Sequence, residues 1–123
     1  MKLKLIQIVN GYFALQQSIT EKLPTKLLFT LYRNMRLLQT EAETFEKVRL
    51  DLIRTKYGVK QKDKDEYEVP PENLGEFSVE MTKLGESEVE LDIKIIVLED
   101  YEDFRLSLMQ LTMLEWMFVL PTD

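Results

Sequence analysis

Carboxylates are the one chemically capable residue type that this chain holds in quantity: 22 Asp and Glu, against 16 Lys and Arg, with no histidine or cysteine. Two carboxylates facing each other across a cleft can act as acid and base, and several carboxylate oxygens together can hold a hard cation. The clusters available are Glu88, Glu90 and Asp92; Glu99, Asp100, Glu102 and Asp103; and Asp63 with Asp65. The first set alternates with Val89, Leu91 and Ile93, which lays it along the wet face of a strand and not around a cleft. The second lies in "EDYED", which reads as a turn. Neither it nor "DKD" has the ordered spacing and turn glycine of a calcium-binding loop. Missing histidine removes the commonest general base and metal ligand, and missing cysteine removes disulfides, thiolate nucleophiles and sulfur-bound zinc. The four glycines stand singly, so no phosphate-cradling loop is present. No catalytic, cofactor-binding or metal-ligating residue is assigned, and the chain is expected not to be an enzyme.

Charge is divided along the chain. Residues 1–60 carry eleven Lys and Arg against five Asp and Glu, and residues 61–123 carry five against seventeen, so halves of +6 and −12 make the net −6. Such polarity fits self-association, a basic partner, or two differently solvated surfaces. Lys26, Arg33, Arg36, Lys47, Arg49, Arg54 and Lys56 give one helix a basic character, and Arg33 and Arg36 share a face of it. Glu41, Glu43, Glu46 and Asp51 interrupt the stripe, and the negative total opposes a phosphate backbone, so direct nucleic-acid binding is not expected.

The elements that must position these residues follow from periodicity. With 123 residues, 45% of them hydrophobic, the chain has room for one domain over residues 1–123. Leu5, Ile8, Tyr12, Leu15 and Ile19 recur at helical spacing over about residues 3–20, and Gly11 inside that run offers a close backbone approach. Pro24 opens a second helix that runs to Tyr57 before Gly58, with Leu28, Leu31, Met35, Leu38, Ala42, Phe45 and Leu52 in an a/d pattern that Arg49 alone breaks. Residues 1–58 thus form a long antiparallel helical hairpin in which the second helix outlasts the first. Residues 59–66 read as a charged loop, and "YEVPP" as a short edge strand.

Over residues 67–123 the composition turns α+β. Leu74, Phe77, Met81 and Leu84 favour a helix between Pro71 and Gly85, although Phe77, Val79 and Met81 also alternate as a strand would. Residues 88–97 are a strand with Val89, Leu91, Ile93, Ile95 and Val97 on its buried face. Residues 66–69, residues 76–82 or another chain would pair with it. Ser107 and Gln110 form a capping box that opens an apolar C-terminal helix over residues 107–119. The fold class is therefore mainly α, with a small β element. No stretch reaches the roughly 18 apolar residues of a membrane span, and the apolar run at the N-terminus is broken by Lys4, Gln7 and Asn10, unlike a signal peptide.

A helix apolar on nearly all sides is either wrapped completely or docks a partner, and small domains wrap poorly. Trp116, Phe118, Met117 and Met113, with Phe45 and Leu52 on the unmatched end of the second helix, are accordingly the expected protein-binding residues. The alternative working surface is acidic: Glu88, Glu90, Asp92, Glu99, Asp100, Glu102 and Asp103, which could imitate nucleic acid and inhibit a host defence enzyme.

The order of elements adds a resemblance. The run "KLKLIQIVNGYFALQQSITEKLPTKLLFTLYRNMRLLQTEAETFEKVRLDLIRTKYG", a charged loop, "ENLGEFSVEMTKLGESEVELDIKIIVLED" and the apolar "LTMLEWMF" together resemble a family of small uncharacterised proteins encoded by phages and prophages of Gram-positive bacteria. The resemblance spans nearly the whole chain. It implies action in the host bacterial cytoplasm or in a virion, and it supplies no catalytic residues. A non-enzymatic phage-type module that binds a host or phage protein through apolar helical surfaces is the expected function, with a homo-oligomer expected and neither membrane nor cofactor involved.

Overall fold

Pro24 and Gly58 bound the longest element. Pro24 caps the helix, its carbonyl accepting from the Leu28 amide at 2.9 Å, one position ahead of where the sequence places it. In the computed structural model, which describes residues 1–19, 23–97 and 106–119, α2 covers Thr25–Leu52 and continues as a π-helical turn, Ile53–Tyr57. Gly58 ends it by close approach. Its φ of −91° is ordinary, but any Cβ there would fall inside the van der Waals surface of the Ile53 carbonyl, which accepts the Gly58 amide at 2.6 Å.

Ahead of α2 lie a strand, β1 (Lys2–Lys4), and a helix, α1 (Leu5–Ser18). A hairpin follows α2: β2 (Val59–Lys60) pairs antiparallel with β3 (Tyr67–Glu68), so the expected charged loop begins with a strand. Next comes α3 (Pro71–Gly85), the helical alternative for this segment, with proline in its first turn. The expected single strand over residues 88–97 is two short ones, β4 (Glu88–Glu90) and β5 (Ile96–Val97). Then come α4 (Leu108–Leu114) and β6 (Phe118–Val119). The mainly α fold with a small β component is observed.

Neither of the two expected partners within the chain, residues 66–69 and residues 76–82, pairs with residues 88–97. β4 pairs antiparallel with β1, matching Lys2 to Glu90, Leu3 to Val89 and Lys4 to Glu88, whereas β5 pairs in parallel with β6. Leu3 therefore enters the core beside Val89 while lysines and glutamates face water. The expected buried alternation holds through Ile93, then slips: Ile96 is buried and Ile95 is exposed.

α1 sits at the centre, packed along α2 and touched by α3 and α4. Ile8, Leu15, Leu27, Leu31, Leu38, Leu114 and Met117 are fully enclosed. The capping box at α4 is present, with the Ser107 Oγ accepting from the Gln110 amide at 3.1 Å and the Ser107 amide donating to Gln110 Oε1 at 2.9 Å. The helix stops at Leu114 and not at residue 119, because the chain beyond it pairs with β5 instead: the Ile96 amide donates to the Met117 carbonyl at 2.9 Å. Leu114, Met117 and Phe118 all enter the core. Gly11 makes this possible: a Cβ there would meet Trp116 Cζ2 at 2.6 Å, so the indole lies directly across the α1 backbone.

Candidate functional site

One polar residue stands in the buried stripe of α2, which runs Leu27, Leu31, Asn34, Leu38, Ala42. Asn34 is 1% exposed. Its Nδ2 donates to the Lys94 carbonyl at 2.9 Å and its Oδ1 accepts from the Lys94 amide at 3.0 Å. The side chain thus does for one residue what a neighbouring strand would do, satisfying both backbone groups. This clasp explains the break between β4 and β5: Lys94 is held to α2, not to a strand.

Beside the clasp, α2 and residues 92–95 enclose a groove of about 600 Å³. Phe29, Arg33 and Arg36 line its helical side, and Asp92, Lys94 and Ile95 the other. Phe29 is 64% exposed and Ile95 50%. The Arg33 guanidinium lies 5.8 Å from the centre of the Phe29 ring, within cation–π range. Among the described residues the Arg33, Arg36 and Lys94 side chains form no ion pair. Three cations and one carboxylate therefore share a groove edged by apolar side chains. Tyr32, half exposed, completes a single face with Phe29, Arg33 and Arg36, at positions i, i+3, i+4 and i+7 of one helix.

The six expected apolar docking residues are not brought together on an open surface. Met117 and Phe118 are buried in the core, a correction to their expected role. Trp116, Met113 and Phe45 are half-buried against that same core, and Leu52 is half-buried. The segment after α4 pairs with β5 and packs on the core, so Trp116, Met117 and Phe118 are taken up by the chain's own interior. Surplus apolar surface lies elsewhere: on Leu108 (82% exposed) and Met109 (68%) at the start of α4, on Phe29 and Tyr32 near the start of α2, and singly on Phe13, Val59 and Val79.

The acidic candidates are dispersed as well. Glu88 lies 3.9 Å from the Lys2 ammonium, and Glu90 lies 2.7 Å from the Met1 amine, which holds its carboxyl below the usual range through a hydrogen bond. Asp92 lines the basic groove. Glu99, Asp100, Glu102 and Asp103 lie outside the described residues.

A second, shallower depression of about 460 Å³ lies at the other end of the molecule, beside Tyr57, Val79, Glu80 and Lys83. Tyr57 and Glu80 are paired there. The buried Tyr57 donates its hydroxyl proton to Glu80, Lys56 Nζ lies 3.3 Å from the same carboxylate, and Asn73 Nδ2 donates to the Tyr57 carbonyl at 3.0 Å. The Tyr57 hydrogen bond, then the one from Lys56, holds the Glu80 carboxyl below its ordinary value. Phe77 packs edge-on to Tyr57 at 5.7 Å between centroids. This network pins α3 to the end of the long helix.

Of the groove residues, Arg33 and Arg36 are legible in sequence as sharing a face. Phe29, Asn34 and Ile95, and the neighbouring Tyr32, are not, because apolar periodicity looks for what is buried. An asparagine within an otherwise apolar stripe was the available signal. Among the described residues no group of three or more His, Cys, Asp or Glu could hold a metal ion, and no helix is long and apolar enough to cross a membrane. No family model, no curated protein and no solved structure matches the chain.

Proposed function

We propose that this protein is a non-enzymatic, phage-type protein-binding module that docks a host or phage protein on the outward face of the first half of α2. The single observation carrying this reading is the exposure of Phe29 and Tyr32 on the same helical face as Arg33 and Arg36, whose guanidinium groups make no ion pair among the described residues. Aromatic and arginine side chains dominate the energetics of protein interfaces. A folded chain leaves two adjacent aromatic rings in water at the expense of hydrophobic burial that it makes elsewhere. The docking mode is the apolar helical surface expected from sequence, moved from the last helix and the far end of the second to the first half of the second. The setting, the host bacterial cytoplasm or a virion, rests on the resemblance in element order.

A homo-oligomer belongs to the same proposal, since a second copy is one occupant such a face could take. The acidic alternative, an inhibitor imitating nucleic acid, draws less support: Glu88 and Glu90 already face cations of the same chain, and Asp92 faces into the groove. The test is quantitative capture from host or infected-cell lysate with Phe29→Ala/Tyr32→Ala beside Leu74→Ala/Val79→Ala, a control pair exposed on α3. Partner recovery should fall roughly thirtyfold or more for the first pair, the loss of one aromatic hot spot, and stay unchanged for the second. Equal recovery from both would refute the assignment. Light scattering shows whether the recovered partner is a second copy.

A further inference from the structure

We propose, resting on that reading, that the groove between α2 and residues 92–95 takes an extended, acidic segment of the partner carrying bulky apolar side chains. Charge gives the first reason. Arg33, Arg36 and Lys94 face the groove against the single carboxylate of Asp92, and none of the three cations is ion-paired among the described residues. Other unpaired cations, such as Lys47 and Arg54, also stand on the long helix, but Arg33, Arg36 and Lys94 are the ones that converge on one groove.

Backbone chemistry gives the second reason. Residues 91–95 join two strands, and among the described residues the backbone groups of Asp92 and Ile93 make no hydrogen bond, whereas those of Leu91 and Lys94 do. Unpaired backbone beside strands is a surface on which an extended peptide adds by main-chain hydrogen bonding, its alternate side chains falling into flanking pockets. Phe29 and Ile95 provide the apolar wall for those side chains, and the volume of about 600 Å³ suits a few residues and not a whole helix. Nucleic acid fits less well. The Asp92 carboxylate sits where phosphates would run, and Glu43 and Asp51 punctuate the cationic stripe as α2 continues.

The experiment uses the full chain and three fluorescent probes: a short peptide alternating glutamate with phenylalanine, the same peptide with glutamine for glutamate, and a single-stranded oligonucleotide. Fluorescence anisotropy should show the glutamate peptide binding at least roughly tenfold more tightly than the glutamine peptide, the scale of one charge-assisted contact. Its affinity should fall between about 0.05 and 0.5 M salt. Arg33→Glu/Arg36→Glu should abolish the preference for glutamate, while Arg54→Glu, in the π-helical turn beyond α2, leaves it unchanged. Amide NMR shifts should centre on Asp92 and Ile93. Equal affinity for the two peptides, no binding at millimolar peptide, shifts elsewhere, or tighter binding of the oligonucleotide to the same residues would each overturn the proposal. If Phe29→Ala/Tyr32→Ala abolishes partner capture while the peptides bind alike, only the partner's charge is wrong. If that pair leaves capture intact, the docking face itself is wrong.

Discussion

Replacing Gly11 with alanine should reverse an ordinary rule. Within a helix, alanine in place of glycine stabilises by about 1 kcal/mol. At position 11 the new methyl would stand 2.6 Å from Trp116 Cζ2, about 1 Å inside the usual carbon–carbon contact of roughly 3.5–4.0 Å. The indole is rigid and braced against a core that holds Leu114 and Met117, so the ring or the helix must shift. Overpacking of this kind costs about 1–3 kcal/mol. Set against the propensity gain, Gly11→Ala should come out between neutral and about 2 kcal/mol destabilising.

The Trp116→Ala background separates the two terms. With the indole removed, the nearest remaining atom is Leu114 Cδ2 at 3.6 Å, an ordinary contact. There Gly11→Ala should stabilise by about 1 kcal/mol, giving a coupling between the two sites of about 1–3 kcal/mol. Urea unfolding followed by far-UV circular dichroism measures all four corners without relying on tryptophan fluorescence. If Gly11→Ala stabilised the wild-type chain as much as it stabilises Trp116→Ala, the close packing of the last segment against α1 would be refuted.

Three further outcomes follow from single contacts. Asn34→Ala leaves the Lys94 amide and carbonyl without their partner, so stability should fall by about 1–3 kcal/mol and hydrogen-exchange protection at Lys94 should be lost; a protected Lys94 amide in the variant would show that the clasp is not what holds this segment. Gly58→Ala collides with the Ile53 carbonyl and should unravel the π-helical turn, lowering the thermal midpoint by several degrees, about 1–2 kcal/mol, with the helical signal reduced. Glu80 titrates below its unfolded value near 4.5 because Tyr57 and Lys56 donate to its carboxylate, so its contribution is present above that pH and disappears as pH falls through the lower folded value. The stability difference between wild type and Glu80→Gln should therefore shrink as pH falls below about 4.5, and a difference that is flat with pH would remove Glu80 from the docking of α3.

Much of the helical frame was written locally. Pro24 and Gly58 mark α2, Pro71 and Gly85 mark α3, and Ser107 with Gln110 marks the start of α4, each through a backbone requirement confined to a few residues. The strands resisted the same reading. Lys2-Leu3-Lys4 is too short for its alternation to stand apart from the helix that follows, and its partner lies at Glu88–Glu90. The break at Lys94 is made by Asn34, sixty positions away in sequence. No breaker stands between Leu114 and Val119, so nothing local announces that α4 ends early. Where a contact made the structure, only its polar outlier, an asparagine in an apolar stripe, left a trace.

The uneven charge now has a physical account that bears on what a partner meets. Four of the five ion pairs among the described residues join the basic first half to the acidic second half: Met1 with Glu90, Lys2 with Glu88, Lys4 with Glu86, and Lys56 with Glu80. They lie at the surface, where water and salt screen the attraction, so they do little to hold the fold. Their effect is on the field. They consume carboxylates along β4 and α3 and leave the opposite face of the hairpin, with Arg33 and Arg36 beside Phe29 and Tyr32, positive in a molecule of net charge −6. At physiological salt, charges screen within about 8 Å. A partner approaching α2 therefore responds to those two arginines, and not to the distant glutamates that set the isoelectric point.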